Sequence, residues 1–220
     1  MSEGRKRAFR PGLAASLATL AAFTVLVGLG VWQLQRLEWK QGLIADMRLR
    51  AEATPITSLP PEPLDIEDLS FRRARLTGHF VAGAEFHLPG RSFQGMTGSE
   101  LAAAFVTEGG RGIIVSRGWL PPDKQEADAR PELRMEGLVT IEGILRPSGW
   151  RGSDLFRPAN DPEKNVWLYY DDDAMAARAG LEDPVQGLYL SLTDEPGERP
   201  LPVPLPPAVT LVNNHLEYAL

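Results

Sequence analysis

Three histidines, His79, His87 and His215, are the only imidazoles in this 220-residue chain. Imidazole serves as general base, metal ligand or haem ligand, so these positions come first. His79 and His87 fall in or beside a segment that reads as a hairpin, where they could meet across two strands. No third ligand is spaced to complete a metal site there, and satisfied or solvated imidazoles are the plainer reading. His215 differs in its neighbours. It follows Asn213 and Asn214, precedes Leu216 and Tyr218, and ends a proline-rich stretch. A histidine near a chain end is ordinarily solvated. Its other chemistry is ligation of haem iron, and at a membrane surface it could hold a haem whose macrocycle lies in lipid.

The remaining chemistry is quickly bounded. There is no cysteine, which excludes disulfides, thiol catalysis, cysteine-based zinc sites and cysteine-ligated clusters. The run Gly90-Arg91-Ser92-Phe93-Gln94-Gly95 has its second glycine one position too late for a nucleophile elbow and reads as a glycine-rich surface loop. Asp171-Asp172-Asp173 lacks the glycine and terminal glutamate of a calcium loop and reads as the acidic start of a helix. No phosphate loop or dinucleotide fingerprint is present. Nothing assembles a nucleophile, a base and an oxyanion site, so no catalytic residue and no resident metal are expected.

The elements that would position these residues begin with an apolar run. Leu13 to Trp32 contains no charge, and about 20 helical residues match a bilayer core of roughly 30 Å. A cleaved signal peptide would have a shorter apolar core followed by a small-residue cleavage site, so a retained anchor is the better reading. A helix buried in a soluble core is a weaker one. Residues 1–12 form a basic tail, and residues 13–34 are taken as the transmembrane helix. The first ten residues carry four cations and one anion, +3. With −6 for the whole chain, residues 11–220 carry −9. Positive flanks stay in the cytoplasm or matrix, which puts the acidic domain in the periplasm or intermembrane space. A pI near 5.2 argues against nucleic acid as a partner.

Residues 35–70 read as a juxtamembrane helix followed by a proline-rich connector, extended over 54–70. Residues 71–195 then read as a β-rich extracytoplasmic domain. Strands are expected at Arg72–Phe80, with Glu85–Leu88 as its hairpin partner, and at Ala102–Thr107 and Gly112–Trp119 around a Glu-Gly-Gly-Arg-Gly turn. Further strands are expected at Leu138–Leu145, Val166–Tyr170 and Val185–Leu192. One helix is expected at Asp172–Ala179, capped by Asp171 or Asp172 and stopped by Gly180. The fold class is therefore α+β: an N-terminal transmembrane helix plus a mostly antiparallel sheet or barrel with one or two helices. Gly78, Gly118 and Gly143 should permit turns, bulges or close strand approach. Trp119, Phe156 and Trp167 are expected as core or contact residues. Residues 196–212 read as a semi-rigid proline-rich spacer returning to the membrane.

Several segments, in this order, resemble the Surfeit locus protein 1 family of cytochrome c oxidase assembly factors. They are Gly30-Val-Trp32-Gln33-Leu34-Gln-Arg36-Leu37-Glu-Trp39-Lys40, Arg75-Leu76-Thr77-Gly78-His79-Phe80 and Ile114-Val115-Ser116-Arg117-Gly118-Trp119-Leu120-Pro121. They continue with Glu142-Gly143-Ile144-Leu145-Arg146, then Phe156-Arg-Pro158-Ala-Asn160-Asp161-Pro162 before Trp167, and Asn213-Asn214-His215-Leu216-Glu217-Tyr218-Ala219. The resemblance implies a non-catalytic chaperone of respiratory-chain biogenesis in the cell inner membrane or the mitochondrial inner membrane. It implies transient binding of haem a, with His215 as an axial ligand, and partnership with oxidase subunit I and haem a synthase. It also implies two membrane helices flanking the β-rich domain. Residues 213–220 would be the start of the second, whose apolar part is not included in the 220 residues.

Overall fold

The computed structural model describes residues 12–194 and 201–205. Two compact units divide near Ala45. The first is dominated by helix α1, Leu13–Glu52, forty residues without a break. At about 1.5 Å per residue it is roughly 60 Å long, twice a bilayer core. The helix is long and apolar enough to cross a membrane, and its most apolar window is wholly unburied. The hydroxyls of Thr19 and Thr24 donate to the carbonyls of Ala15 and Leu20, each at 2.9 Å, so they hide their polarity within the helix. The expected juxtamembrane helix is the uninterrupted continuation of the apolar segment.

The second unit is built on five strands: β1 Arg73–Phe93, β2 Met96–Thr107, β3 Gly112–Leu120, β4 Val139–Pro147 and β5 Leu188–Leu192. They close in the order β1-β2-β3-β5-β4. Every pairing is antiparallel except β3 with β5, joined through Val115 beside Leu190 and Ser116 beside Ser191. This is a five-stranded Greek-key barrel, the architectural class of OB folds. Period-two alternation sorts its side chains. Leu76, Phe105, Ile113, Val115, Ile141 and Leu190 fill the inside. Phe86, Ala104, Ile114, Trp167 and Met175 form an outer layer beneath helix α3, Asp172–Ala179. Helix α3 has the expected limits. Asp171 accepts from the Ala174 amide at 3.2 Å, and Gly180 ends the helix at φ +67°.

Several expectations are corrected. Glu85–Leu88 is not a hairpin partner of Arg72–Phe80, because both stretches lie on the single 21-residue β1. The N-terminal part of β1 pairs with β4 and the rest with β2. The true hairpin turn is Gln94-Gly95, where φ is positive at both residues. Val166–Tyr170 is not a strand: only Val166 bridges, to His87 and Asp161. Trp167 and Tyr170 are both buried because they plug the outer layer. Of the three aromatic residues expected as core or contact, Trp119 and Trp167 are buried and Phe156 is 75% exposed.

The connector over 54–70 is docked rather than free. Ile56 bridges Ala74, Ile56, Leu59 and Leu64 pack on the inner core, and a short helix α2 spans Ile66–Leu69. Residues 201–205 of the proline-rich stretch also touch the barrel, where Val203 pairs with Trp119. Gly118 makes that pairing possible: its φ is +128°, and a Cβ there would lie 2.2 Å from the Val203 carbonyl oxygen. Gly78 and Gly143 likewise sit where a Cβ would strike the carbonyl of a neighbouring strand.

Candidate functional site

The barrel wall is interrupted in β1. Phe80 pairs with Phe105 and Glu85 with Ala103, so four residues of β1 face the single Ala104 of β2. Gly83, at φ +73°, supplies the left-handed kink of this excursion. A second irregularity lies in β3: Gly118 pairs with Leu101 and Ser116 with Ala102, leaving Arg117 unmatched. The β3–β4 connector runs over the same region through three short 3-10 turns, Pro122–Lys124, Ala127–Ala129 and Pro131–Leu133.

These three features bring together Glu85, His87, Arg117 and Arg130. Arg130 is 2% exposed and grips Glu85 with both Nη atoms, at 3.1 and 2.6 Å. Arg117, also 2% exposed, donates to the Leu133 carbonyl at 3.0 Å and lies 3.7 Å from Glu85. Its guanidinium carbon is 5.3 Å from the centre of the Phe80 ring. Burial pushes the Glu85 carboxyl up. The hydrogen bond and charge of Arg130, with the charges of Arg117 and His87, outweigh burial and hold it below its ordinary value. Burial and the neighbouring Arg130 push the His87 imidazole down, against the pull of Glu85 and Glu126. With His87 neutral, the cluster holds two cations and one anion.

A cleft of about 350 Å³ opens beside it, lined by Phe80, Val81, Gly83, Arg117, Arg134 and Met135 among others. The Nδ1 of His87 and the Nε of Arg130 are buried with no hydrogen-bond partner among the described residues. Such atoms cost about 1–3 kcal/mol each when left unsatisfied. The cleft is also lined by the carboxylates Glu85 and Glu136, so its polar side carries both signs of charge against an apolar wall.

The residues singled out by sequence are dispersed. His79 is exposed on β1 and His87 lies in the cluster, eight positions along the same strand, so they do not meet. Ser92 leads into the β1–β2 turn. Asp171 caps α3, Asp172 accepts from the Gly187 amide and Asp173 from Gln186. His215 lies outside the described residues. The sequence reading missed Glu85 and Arg130. The one signal available was a charge embedded in strand-like stretches, as at Arg117 between Ile113–Ser116 and Trp119.

By fold and site this is a five-stranded Greek-key barrel with buried arginines at its mouth, preceded by a long apolar helix. A family model described as the SURF1 family matches residues 20–220, and the chain belongs to that family. It is 32% identical to Surfeit locus protein 1 of Rattus norvegicus over 208 residues, which is 88% of this chain and 66% of the relative. The human protein of the same name is 32% identical over 87% of this chain and 67% of its own length. A SURF1-like protein of Rickettsia felis is 31% identical over 93% of this chain and 88% of its own length. The chain thus spans just under two thirds of the rat protein.

Proposed function

We propose that this chain is a membrane-anchored, non-catalytic assembly factor for cytochrome c oxidase that binds haem a and helps deliver it to oxidase subunit I. In this reading α1 fixes it in the cell or mitochondrial inner membrane, with the barrel on the periplasmic or intermembrane-space side. Haem a synthase and subunit I are its partners, and haem a is cargo. The observation that carries the proposal is the reach of the family match, which takes in α1 from Leu20 onward, the barrel and the Asn213-Asn214-His215 motif together. Imidazole is the common protein ligand of haem iron, which gives His215 its role.

The test uses membranes from cells overproducing the full chain together with haem a synthase. Wild-type protein should purify with a haem a absorption spectrum, and His215→Ala should lose it. Wild-type haem content in that variant would refute the ligand role. One observation favours a second reading, a scaffold that holds an oxidase subunit without touching haem. The inside of the barrel is filled by side chains, and the cleft at its mouth, about 350 Å³, is at the small end for ligand sites. That reading requires co-purification of an oxidase subunit to survive the loss of His215.

A further inference from the structure

On the outer face of the barrel a cleft of about 230 Å³ is lined by Arg91, Arg146 and Arg151 and by no carboxylate. Its aromatic floor includes Tyr170 and Tyr189, stacked with ring centres 3.8 Å apart. Arg146 sits 6.0 Å from the centre of the Tyr189 ring. Beneath the floor, Glu100 is 5% exposed and already accepts from Ser116, Tyr170 and Arg91. It therefore offers little to the other two arginines. Among the described residues neither Arg146 nor Arg151 forms a salt bridge. The Ser148 hydroxyl, on the cleft wall, is buried without a partner among them. In a chain of net charge −6, two arginines without a carboxylate partner among the described residues, beside a third that is paired with Glu100, form a local positive exception.

Beside the cleft the chain exposes apolar side chains. Trp150 donates to the Ser153 carbonyl at 3.0 Å and meets Tyr169 edge-on, which pins the turn that follows. That turn, Asp154–Phe156, presents Leu155 at 84% and Phe156 at 75% exposure. Phe156 is five residues from Arg151, so the two Cα atoms are at most about 18 Å apart. Cations gathered in a cleft beside an exposed apolar knuckle match the layering of a lipid surface, with phosphate above and acyl chain below.

We propose that this face is a second membrane contact, in which the arginine cleft takes the phosphate of an anionic phospholipid and the Leu155–Phe156 turn enters the acyl region. The contact is independent of haem and of the oxidase. Each arginine near an anionic surface contributes about fivefold in affinity, so removing Arg146 and Arg151 weakens headgroup capture about 25-fold.

The absence of cysteine allows a single label. Full-length protein carrying Leu155→Cys, labelled with a polarity-sensitive fluorophore, is placed in nanodiscs of phosphatidylcholine with or without phosphatidylglycerol. The label should shift to the blue when phosphatidylglycerol is present, and Arg146→Gln/Arg151→Gln should abolish the shift. Near-UV circular dichroism confirms that each variant is folded, as the exposure of Leu155 and Arg151 leads one to expect. Equal emission in the two lipids, or a shift that survives the double substitution, overturns the proposal. So does complete reversal by millimolar inorganic phosphate, which would make the ligand a free anion rather than a lipid headgroup.

Discussion

Replacing Glu85 by glutamine tests the mouth cluster most directly. The carboxylate is the counter-charge to two guanidiniums that are each 2% exposed. Glutamine keeps the shape and one acceptor but removes the charge, leaving Arg130 buried beside a neutral amide. Removing one partner of a buried ion pair costs about 3–5 kcal/mol. The Glu85 side chain is 23% exposed, so solvent screens part of the loss and about 3 kcal/mol is the appropriate figure. For a unit of this size each kcal/mol lowers the melting temperature by about 2–4 °C, which gives a fall of about 6–12 °C. The assay is thermal unfolding of the full chain in mild detergent, followed by the near-UV signal of the tryptophans. Glu85→Leu/Arg130→Met removes both charges of the bidentate pair and should recover the part of the loss that comes from Arg130, while Arg117 still loses its neighbouring carboxylate. A change below about 1 kcal/mol for Glu85→Gln would refute the assignment of Glu85 as the charge that holds the two arginines in place.

Acid should weaken the same region in two steps. His87 is held below its ordinary 6.5, so the fold favours neutral imidazole, and that contribution is complete above pH 6.5 and lost as pH falls through the lowered value. Glu85 is held below 4.5, so its contribution is present above that pH and lost on further acidification. Melting temperatures should therefore fall progressively below pH 6.5, and His87→Gln should flatten the upper part of the profile. Gly118→Ala forces a side chain into a left-handed backbone and against Val203, costing about 1–3 kcal/mol in backbone strain alone. Its measurable signature is faster hydrogen exchange at the Trp119 amide, which donates to the Val203 carbonyl at 2.7 Å.

Where the structural signal is local, the sequence shows it. Helix α3 has its cap, Asp171, and its stop, Gly180, within ten residues, and both act as read. The charge-free run from Leu13 to Trp32 needs no tertiary context either. Strand β1 is different. Val81-Ala82-Gly83-Ala84 has the composition of a reversal, and only the pairing of both flanks with β2 turns it into a bulge within one strand. The mouth cluster was invisible for a related reason. Arg130 is 45 residues from Glu85, and an arginine in a polar connector reads as solvated until the connector folds over the barrel. Sequence left Phe156 open between core and contact, because an aromatic residue suits both, and only the fold puts it at the surface.

The buried arginines share one architectural task. Arg111, 9% exposed, ties the 54–70 connector to the barrel through the Pro60 carbonyl and Glu62, while also binding Asp183. Arg130 ties the β3–β4 connector through Glu85 and the Gln125 carbonyl, and Arg117 ties it through Leu133. A guanidinium suits this use because its fixed fork of donors reaches a carboxylate and a backbone carbonyl at once, which a lysine ammonium does less rigidly. Segments without regular strands are thus held by directional charge as well as by apolar packing. The turn carrying Leu155 and Phe156 is held separately, by Trp150 donating to the Ser153 carbonyl. A surface whose loops are already fixed loses less conformational entropy on docking.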